Sequence, residues 1–577
     1  MWGRVLVSLT VSLSAGMHVG KSADRQPALD DLIDRISQRT ASTGGGINAG
    51  ESDIAKRIQA FGAQAAPRLI ALLDSDNASV RELAGYVLRD LPGLSESHLD
   101  ALIAACERGD GWIPPAIARI GTPRAIAFLV GELKRTPRTH NQLTWALKLA
   151  GEKAARPLAA IFDAPELVTD DLLTAVRYVF YDMGSAAAVS VPHLVESAMN
   201  PSLPMGNRKA AVRALGALGL AAASEVPRLQ ALAHREPDHF AEPVDQAIVE
   251  IGSPEAAAIL AAQLRRAPSD LLLLRVARLR ENGRAATSVV AQLLNHENWD
   301  VRVAAARTLG YIGATDAVDV LREALSDASD WRIVYSAAES LGRLKATNAV
   351  ADLEAIAQRH WFDVVRSAAS KAVRVIQGAE TYQSRWPAAN FGIEFFDYTH
   401  VRSGVPVLDP ATLRFRAELE PLTESERRGL AVSGIAGSNV APSSWLRLGP
   451  HGHLLGTDGG EWGGELVFRD AAGATHTLLH ANTQGIVRMP FGIVAVTGVA
   501  HLMINHGFLY AVDFEPGRTP TARRWKSLPG APRRVGVLEN GNLFVACVGG
   551  DIVVTPSGEM LAADAKHTAP PAQSDGR

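Results

Sequence analysis

Six residues within one short stretch combine the side chains that metal or acid–base chemistry needs: His451, His453, Asp458, Glu461, Trp462 and Glu465. Imidazoles and carboxylates at this density could ligate a divalent cation, or supply an acid/base pair to a glycan on which Trp462 would stack. The same stretch holds Gly452, Gly456, Gly459, Gly460, Gly463 and Gly464. A long hairpin with left-handed turns and solvated polar side chains needs that composition too. Its spacing matches no HExxH or EF-hand pattern, and no GxSxG elbow occurs in the chain. A triad assembled from distant segments stays open. His501 and His506 lie in a nearby hairpin and could converge on the same place.

Two further patterns suggest chemistry. Residues 15–22 run Ala15-Gly16-Met17-His18-Val19-Gly20-Lys21-Ser22 and fit a loose phosphate-loop pattern. That motif works only between a buried strand and a helix, with further βα units behind it. The sequence that follows is Ala-rich and helical without alternating strands, which makes the match coincidental. Cys106 and Cys547 are the only cysteines, far apart and without zinc spacing or an activating base. They read as small buried residues. No cofactor or metal is implied.

A chain of 577 residues is too long for one core. Hydrophobic residues are 47%, charged residues 21% and the net charge is −3, an ordinary globular balance. No basic block marks a nucleic-acid binder. The densest basic stretch, Arg275, Arg278, Arg280 and Arg284, alternates with Leu at helical spacing and reads as a solvated helix face. At the N-terminus Arg4 precedes the apolar run 5–13 and the small residues Ser14-Ala15-Gly16. That is the layout of a secretory signal, expected over 1–23, and it is too short to span a bilayer. It favours a periplasmic or secreted location. A start at Met17 would make the chain cytoplasmic.

From about residue 50 to 378 one pattern recurs: an apolar helix, a Gly turn, a second helix and a polar break. Turn positions at Gly62, Gly93, Gly121, Gly151, Gly184, Gly219, Gly252, Gly283 and Gly313, then Lys345, keep a period of about 31 residues. Two helices of about 12 residues with their turns fill that length. Ala304, Ala305, Ala306, Ala337 and Ala338 allow close helix approach, and Asp300 and Asp330 stand where N-caps are needed. Arg302 and Arg332 follow, placed to pair with an Asp of the adjacent repeat. These Asp-x-Arg openings and Leu-Gly closings, as in 300–310 and 330–342, resemble the HEAT-like repeat family in its short bacterial, phycobilisome-lyase-type form. The resemblance implies an armadillo-like α-α superhelix of about ten units over 50–378, preceded by a linker at 24–49. It carries over stacking elements only. No residue matches the bilin-lyase chemistry of some relatives, and the near-neutral solenoid lacks the basic face of the DNA-glycosylase relatives.

After Gly378 the Ala-rich helices give way to Gly, aromatic and β-branched residues. Residues 379–444 read as an irregular connector with an extended stretch at 391–401 and an acidic helical piece at 423–430. Twelve short strands are expected over 445–564, with Glu539-Asn540-Gly541-Asn542 as a hairpin turn. They run 445–448, 453–457, 465–469 and 475–479; 485–489, 493–497, 508–514 and 523–528; 534–538, 542–548, 551–555 and 559–562. Three groups of four resemble propeller blades, while three blades are too few to close a ring. The tail 565–577 reads as disordered.

The fold class is therefore multidomain α + β, a HEAT-repeat solenoid followed by an all-β, propeller-like domain. Trp299, Trp331 and Trp361 recur at the repeat period, and stacking would align them as an aromatic stripe for a partner or as plugs between repeats. The function expected is a non-enzymatic scaffold or regulator holding a protein partner on the concave face. One alternative is an exported glycan-binding or hydrolytic protein using the 451–465 turns. Another is an immunity or inhibitor protein acting on a toxin or enzyme.

Overall fold

A computed structural model describes residues 22–39, 47–137, 141–166, 168–382, 408, 413–416, 423–430, 432–433, 439–501 and 504–570. The expected signal segment up to residue 21, the phosphate-loop look-alike except Ser22, the extended stretch 391–401 and the tail beyond 570 lie outside these residues. The chain divides into two compact units, 1–251 and 252–577. The division falls inside the repeats, so the last repeats form one unit with the β-region.

Each repeat contributes one long helix, and within each unit these helices form a row. In the first unit these are α1 (Ala78–Arg89), α2 (Ile113–Ile120), α3 (Gln142–Ala150), α4 (Asp170–Met183), α5 (Met205–Ala217) and α6 (Pro237–Ile251). In the second they are α7 (Asp270–Arg278), α8 (Trp299–Tyr311), α9 (Trp331–Arg343) and α10 (Asp363–Ile376). Within each unit every helix of the row packs on the next. Their antiparallel partners are often shorter than the two-helix estimate, because a 3-10 segment leads in. Gly184–Ser190 before Val191–Met199 and Gly219–Glu225 before Val226–Arg235 are examples. Pro192 and Pro227 then start the α-helix proper, with φ preset and no backbone N–H to waste.

The expected stitching is present with one correction. Asp330 caps α9 by accepting from the Arg332 amide. In α8 the cap is Asn298, and Asp300 sits one residue inside the helix. There Asp300 receives Arg332 from the next repeat at 2.9 Å, while Arg302 reaches Asp327 at 3.7 Å. Ala304, Ala305 and Ala306 are fully buried, and Ser340 Oγ reaches across to the Ala306 carbonyl at 2.7 Å.

The turn beat also needs one correction. Lys345 takes φ +53°, occupying the left-handed position that glycine fills in other repeats. Gly283 does not: Arg280, at φ +51°, carries that turn. Gly283 is required for space instead, since a Cβ there would stand 2.7 Å from Ile312 Cγ2 and 2.9 Å from the Val276 carbonyl.

The β-region contains three four-stranded antiparallel sheets with sequential strand order. A small pair, β1 (Val432–Ser433) and β2 (Asn439–Val440), precedes them. The first sheet holds β3 (Ser444–Arg447), β4 (Gly452–Gly456), β5 (Glu465–Asp470) and β6 (Thr475–His480). The second holds β7 (Thr483–Met489), β8 (Gly492–His501), β9 (Ile504–Asp513) and β10 (Thr521–Ser527). The third holds β11 (Pro532–Val537), β12 (Leu543–Cys547), β13 (Ile552–Val554) and β14 (Met560–Ala562). Strand alternation assigns the faces of the middle sheet. Ile493 and Ala495 join Leu454, Leu466 and Phe468 of the first sheet, whereas Val494 and Val496 join Leu543, Val545 and Ile552 of the third. The other face of the third sheet takes Leu408, Leu413 and Phe415, and that of the first takes Leu430. Helix Glu424–Gly429 coincides with the acidic piece expected in the connector.

Candidate functional site

The six-residue constellation separates into two groups at opposite ends of β4. His451 lies before the strand with its ring 5.7 Å from Phe514. His453 is near the start of β4, opposite Arg447 and Arg469 in the register. Burial and these two cations hold its imidazole below the ordinary histidine range. Asp458, Glu461 and Trp462 follow the far end of β4, a strand length of about 14 Å away, too far for one metal ion to bridge. Glu465 begins β5 and meets His480 Nδ1 at 3.0 Å. Among the described residues no group of three or more His, Cys, Asp or Glu side chains is gathered to hold a metal ion.

The loop after β4 is braced from β7. Asn482 Oδ1 accepts from the Gly459 amide at 3.1 Å, and its Nδ2 donates to the Gly460 carbonyl at 2.7 Å. Asp458 accepts from the Gly460 amide and, through its other oxygen, from Gln484 Nε2. Both of its oxygens are therefore occupied, one within the loop and one by β7. Glu461 pairs with His501 Nε2 at 2.8 Å, and Trp462 beside it is 71% exposed. His506 does not join them; it sits 5.7 Å from Phe508, and burial together with Arg332 holds its pKa down.

The tryptophan row has an occupant within the same unit: the β-region. Trp331 is 4% exposed; its amide meets Ser527 Oγ at 3.1 Å and its indole Nε1 donates to the Leu528 carbonyl at 2.9 Å. Trp299 meets Phe508 edge-on at 6.3 Å, with Arg524 over both rings. Trp361 packs on the cluster shared by the second and third sheets. Ser527 N to the Ser329 carbonyl and Lys526 Nζ to the Ala328 carbonyl complete the junction. Beneath it lies the buried carboxylate of Asp330. Burial would raise its pKa, but Arg332, bonded at 2.8 and 2.9 Å, brings it below the ordinary aspartate value.

Sequence reading missed an exposed surface in the first unit. Arg89 lies over Tyr86, Trp112 and Trp145 at 4.4, 5.3 and 5.6 Å, tying three successive repeats together. Trp145, Leu149 and Tyr181 are exposed, Tyr181 by 72%. The signal was available, because Trp112, Trp145 and Tyr178 keep a near-repeat spacing, but their neighbours lack the Asp-x-Arg openings of the repeats at 300–310 and 330–342. Arg275, Arg278 and Arg284 are exposed, as a solvated face requires. Cys106 and Cys547 are unpaired, and burial, with Glu132 next to the first, pushes the Cys106 thiol up to about 11.

No curated protein matches the chain. Among solved structures, that of the karyopherin Kap121p is 11% identical and aligns over 61% of this chain and 46% of its own length, with a TM-score of 0.37. The Kap95:Nup1 complex is 12% identical over 62% of this chain and 51% of that one, with a TM-score of 0.31. Human deoxyhypusine hydroxylase in complex with glycerol is 15% identical over 61% of this chain and 99% of that one, with a TM-score of 0.16. The chain thus spans about half the length of the karyopherin chains it matches. A family model described as HEAT repeats matches residues 287–374, which cover α8, α9 and most of α10. Residues 287–374 of this chain are HEAT repeats.

Proposed function

We propose that the chain is a non-enzymatic protein-binding scaffold or regulator, whose partner lies along the concave face of a solenoid over 50–378. The carrying observation is that HEAT repeats at 287–374 continue a helix-pair pattern whose earlier members leave Trp145, Leu149 and Tyr181 open to solvent. Stacked helical repeats offer extended surfaces of this kind to other proteins. In this reading the row Trp299, Trp331 and Trp361 is an internal dock for the β-region, and the outside partner uses the earlier repeats.

The three sheets are read as propeller-like blades. Their first strands lie against one another: Ser444 Oγ donates to the Thr483 carbonyl at 3.1 Å, and a Cβ on Gly485 would meet Val535 at 2.6 Å. A glycan-binding role for the β-region is the second reading, favoured by exposed Trp462 beside the Glu461–His501 pair.

Affinity capture with the full chain and mass spectrometry tests the choice. A stoichiometric protein retained by Trp462→Ala and lost with Trp145→Ala/Tyr181→Ala supports the scaffold. A partner lost only with Trp462→Ala moves function to the β-region. Capture of no protein by the unaltered chain refutes the scaffold.

A further inference from the structure

We propose that the exposed side of α1 to α5 is an aromatic–cationic strip that holds an extended, acidic polypeptide segment of a partner. This rests on the scaffold reading and names its ligand. The strip begins where Arg89 covers Tyr86, Trp112 and Trp145. It continues through Leu149 to Tyr181, two side chains well exposed for their size. Residues on the open side recur at i and i+3 or i+4: half-buried Tyr86 with Arg89, exposed Trp145 with Lys148 and Leu149, exposed Arg177 with Tyr181, and half-buried Lys209 with exposed Arg213. Five helices packed 8–10 Å apart give a strip of about 40 Å, the length of about 12 residues of extended chain.

Its charge is graded. Arg119 is satisfied by Asp90 at 2.6 Å and Lys148 by Asp182 at 3.6 Å. Arg177, Lys209 and Arg213 have no ion-pair partner among the described residues. Three open cations beside apolar side chains suit a segment that alternates carboxylates with apolar residues. A single-stranded nucleic acid suits it less. Base stacking needs open ring faces, whereas Arg89 covers one side of Tyr86 and that ring meets Trp112 edge-on at 88°.

The test uses the full chain and a fluorescein-labelled (Glu-Glu-Leu)n peptide of about 12 residues, read by anisotropy at low ionic strength. Two comparison probes have Gln in place of Glu, or are oligo-dT of equal length. The acidic peptide is expected to bind, and Arg177→Glu/Arg213→Glu to weaken it by about tenfold or more. Trp145→Ala/Tyr181→Ala should do likewise, while Arg265→Glu/Arg266→Glu, off the strip, should stay within about twofold. Unchanged melting curves show that each variant is folded. Equal binding of the Gln peptide, equal loss in the off-strip variant, or tighter strip-dependent binding of oligo-dT overturns the proposal. If the peptide fails to bind while partner capture still depends on Trp145 and Tyr181, the acidic ligand is wrong and the scaffold stands. Loss of both removes both.

Discussion

Replacing Asp330 with Ala should destabilise the second unit by about 3–5 kcal/mol, the cost of leaving one half of a buried ion pair. Asp330 is fully buried and Arg332 is 5% exposed. The Asp330 carboxylate accepts from the Arg332 amide at 3.1 Å and from its guanidinium at 2.8 and 2.9 Å. The amide contact is the N-cap of α9, about 1 kcal/mol of the total. The remainder is the guanidinium, left with Asp300 alone at 2.9 Å, together with the Ser527 hydroxyl that also bonds the carboxylate. Native-state hydrogen exchange at the Ser527 amide reports it, because that amide donates to Ser329 across the junction. Exchange through opening of the unit should accelerate by about two to four powers of ten. Asp330→Leu with Arg332→Met removes both charges and should recover most of the loss. An acceleration below about tenfold in the single variant, or a double variant as labile as the single, would refute the argument. The sign with pH follows from the lowered folded pKa. Asp330 stabilises fully above its ordinary value of 3.8, and the contribution is lost as pH falls through the folded value.

Other outcomes follow from single positions. Burial lowers His360 from 6.5 to about 4, so stability should be complete above pH 6.5 and decline as pH falls toward 4. His360→Asn, which keeps an acceptor for the Phe362 amide, should flatten that slope in melts taken across the window. Gly283→Ala forces a methyl against Ile312 and the Val276 carbonyl and should cost about 1–3 kcal/mol in denaturant unfolding. Lys345→Gly relieves a left-handed backbone and should stabilise by about 0.5–1 kcal/mol in the same measurement. Glu461→Gln breaks a half-exposed pair and should change stability by less than about 1 kcal/mol, with partner capture unaltered.

Local chemistry made much of the fold legible. The turn beat located helix boundaries because left-handed positions favour glycine, and the period carried the prediction to Lys345, where no glycine exists. All twelve strands appear within a few residues of their expected places, since alternation and Gly turns are local signals. Two errors came from competition between neighbours. Asn298 and Asp300 both suit a cap, and only the backbone geometry assigns the role to Asn298. Gly283 sat on the beat but serves close packing, a three-dimensional demand that spacing does not encode.

The site was harder for a reason that separates one-dimensional from three-dimensional proximity. His453 and Asp458 are five residues apart in sequence, yet a strand puts them at opposite ends of β4. Glu461 finds its imidazole on β8, forty residues on. The tryptophan row shows the converse. Its period suggested a stripe for a partner or plugs between repeats, and periodicity says nothing about whether an occupant belongs to the same chain. Trp331 answers with two bonds to Ser527 and Leu528, nearly two hundred residues later. A repeat face already occupied in this way has its apolar side chains buried and its indole N–H satisfied. On the scaffold proposal, the face left for a partner is therefore recognised by the opposite signs: aromatic rings left exposed, as at Tyr181, and cations left without carboxylates, as at Arg177 and Arg213.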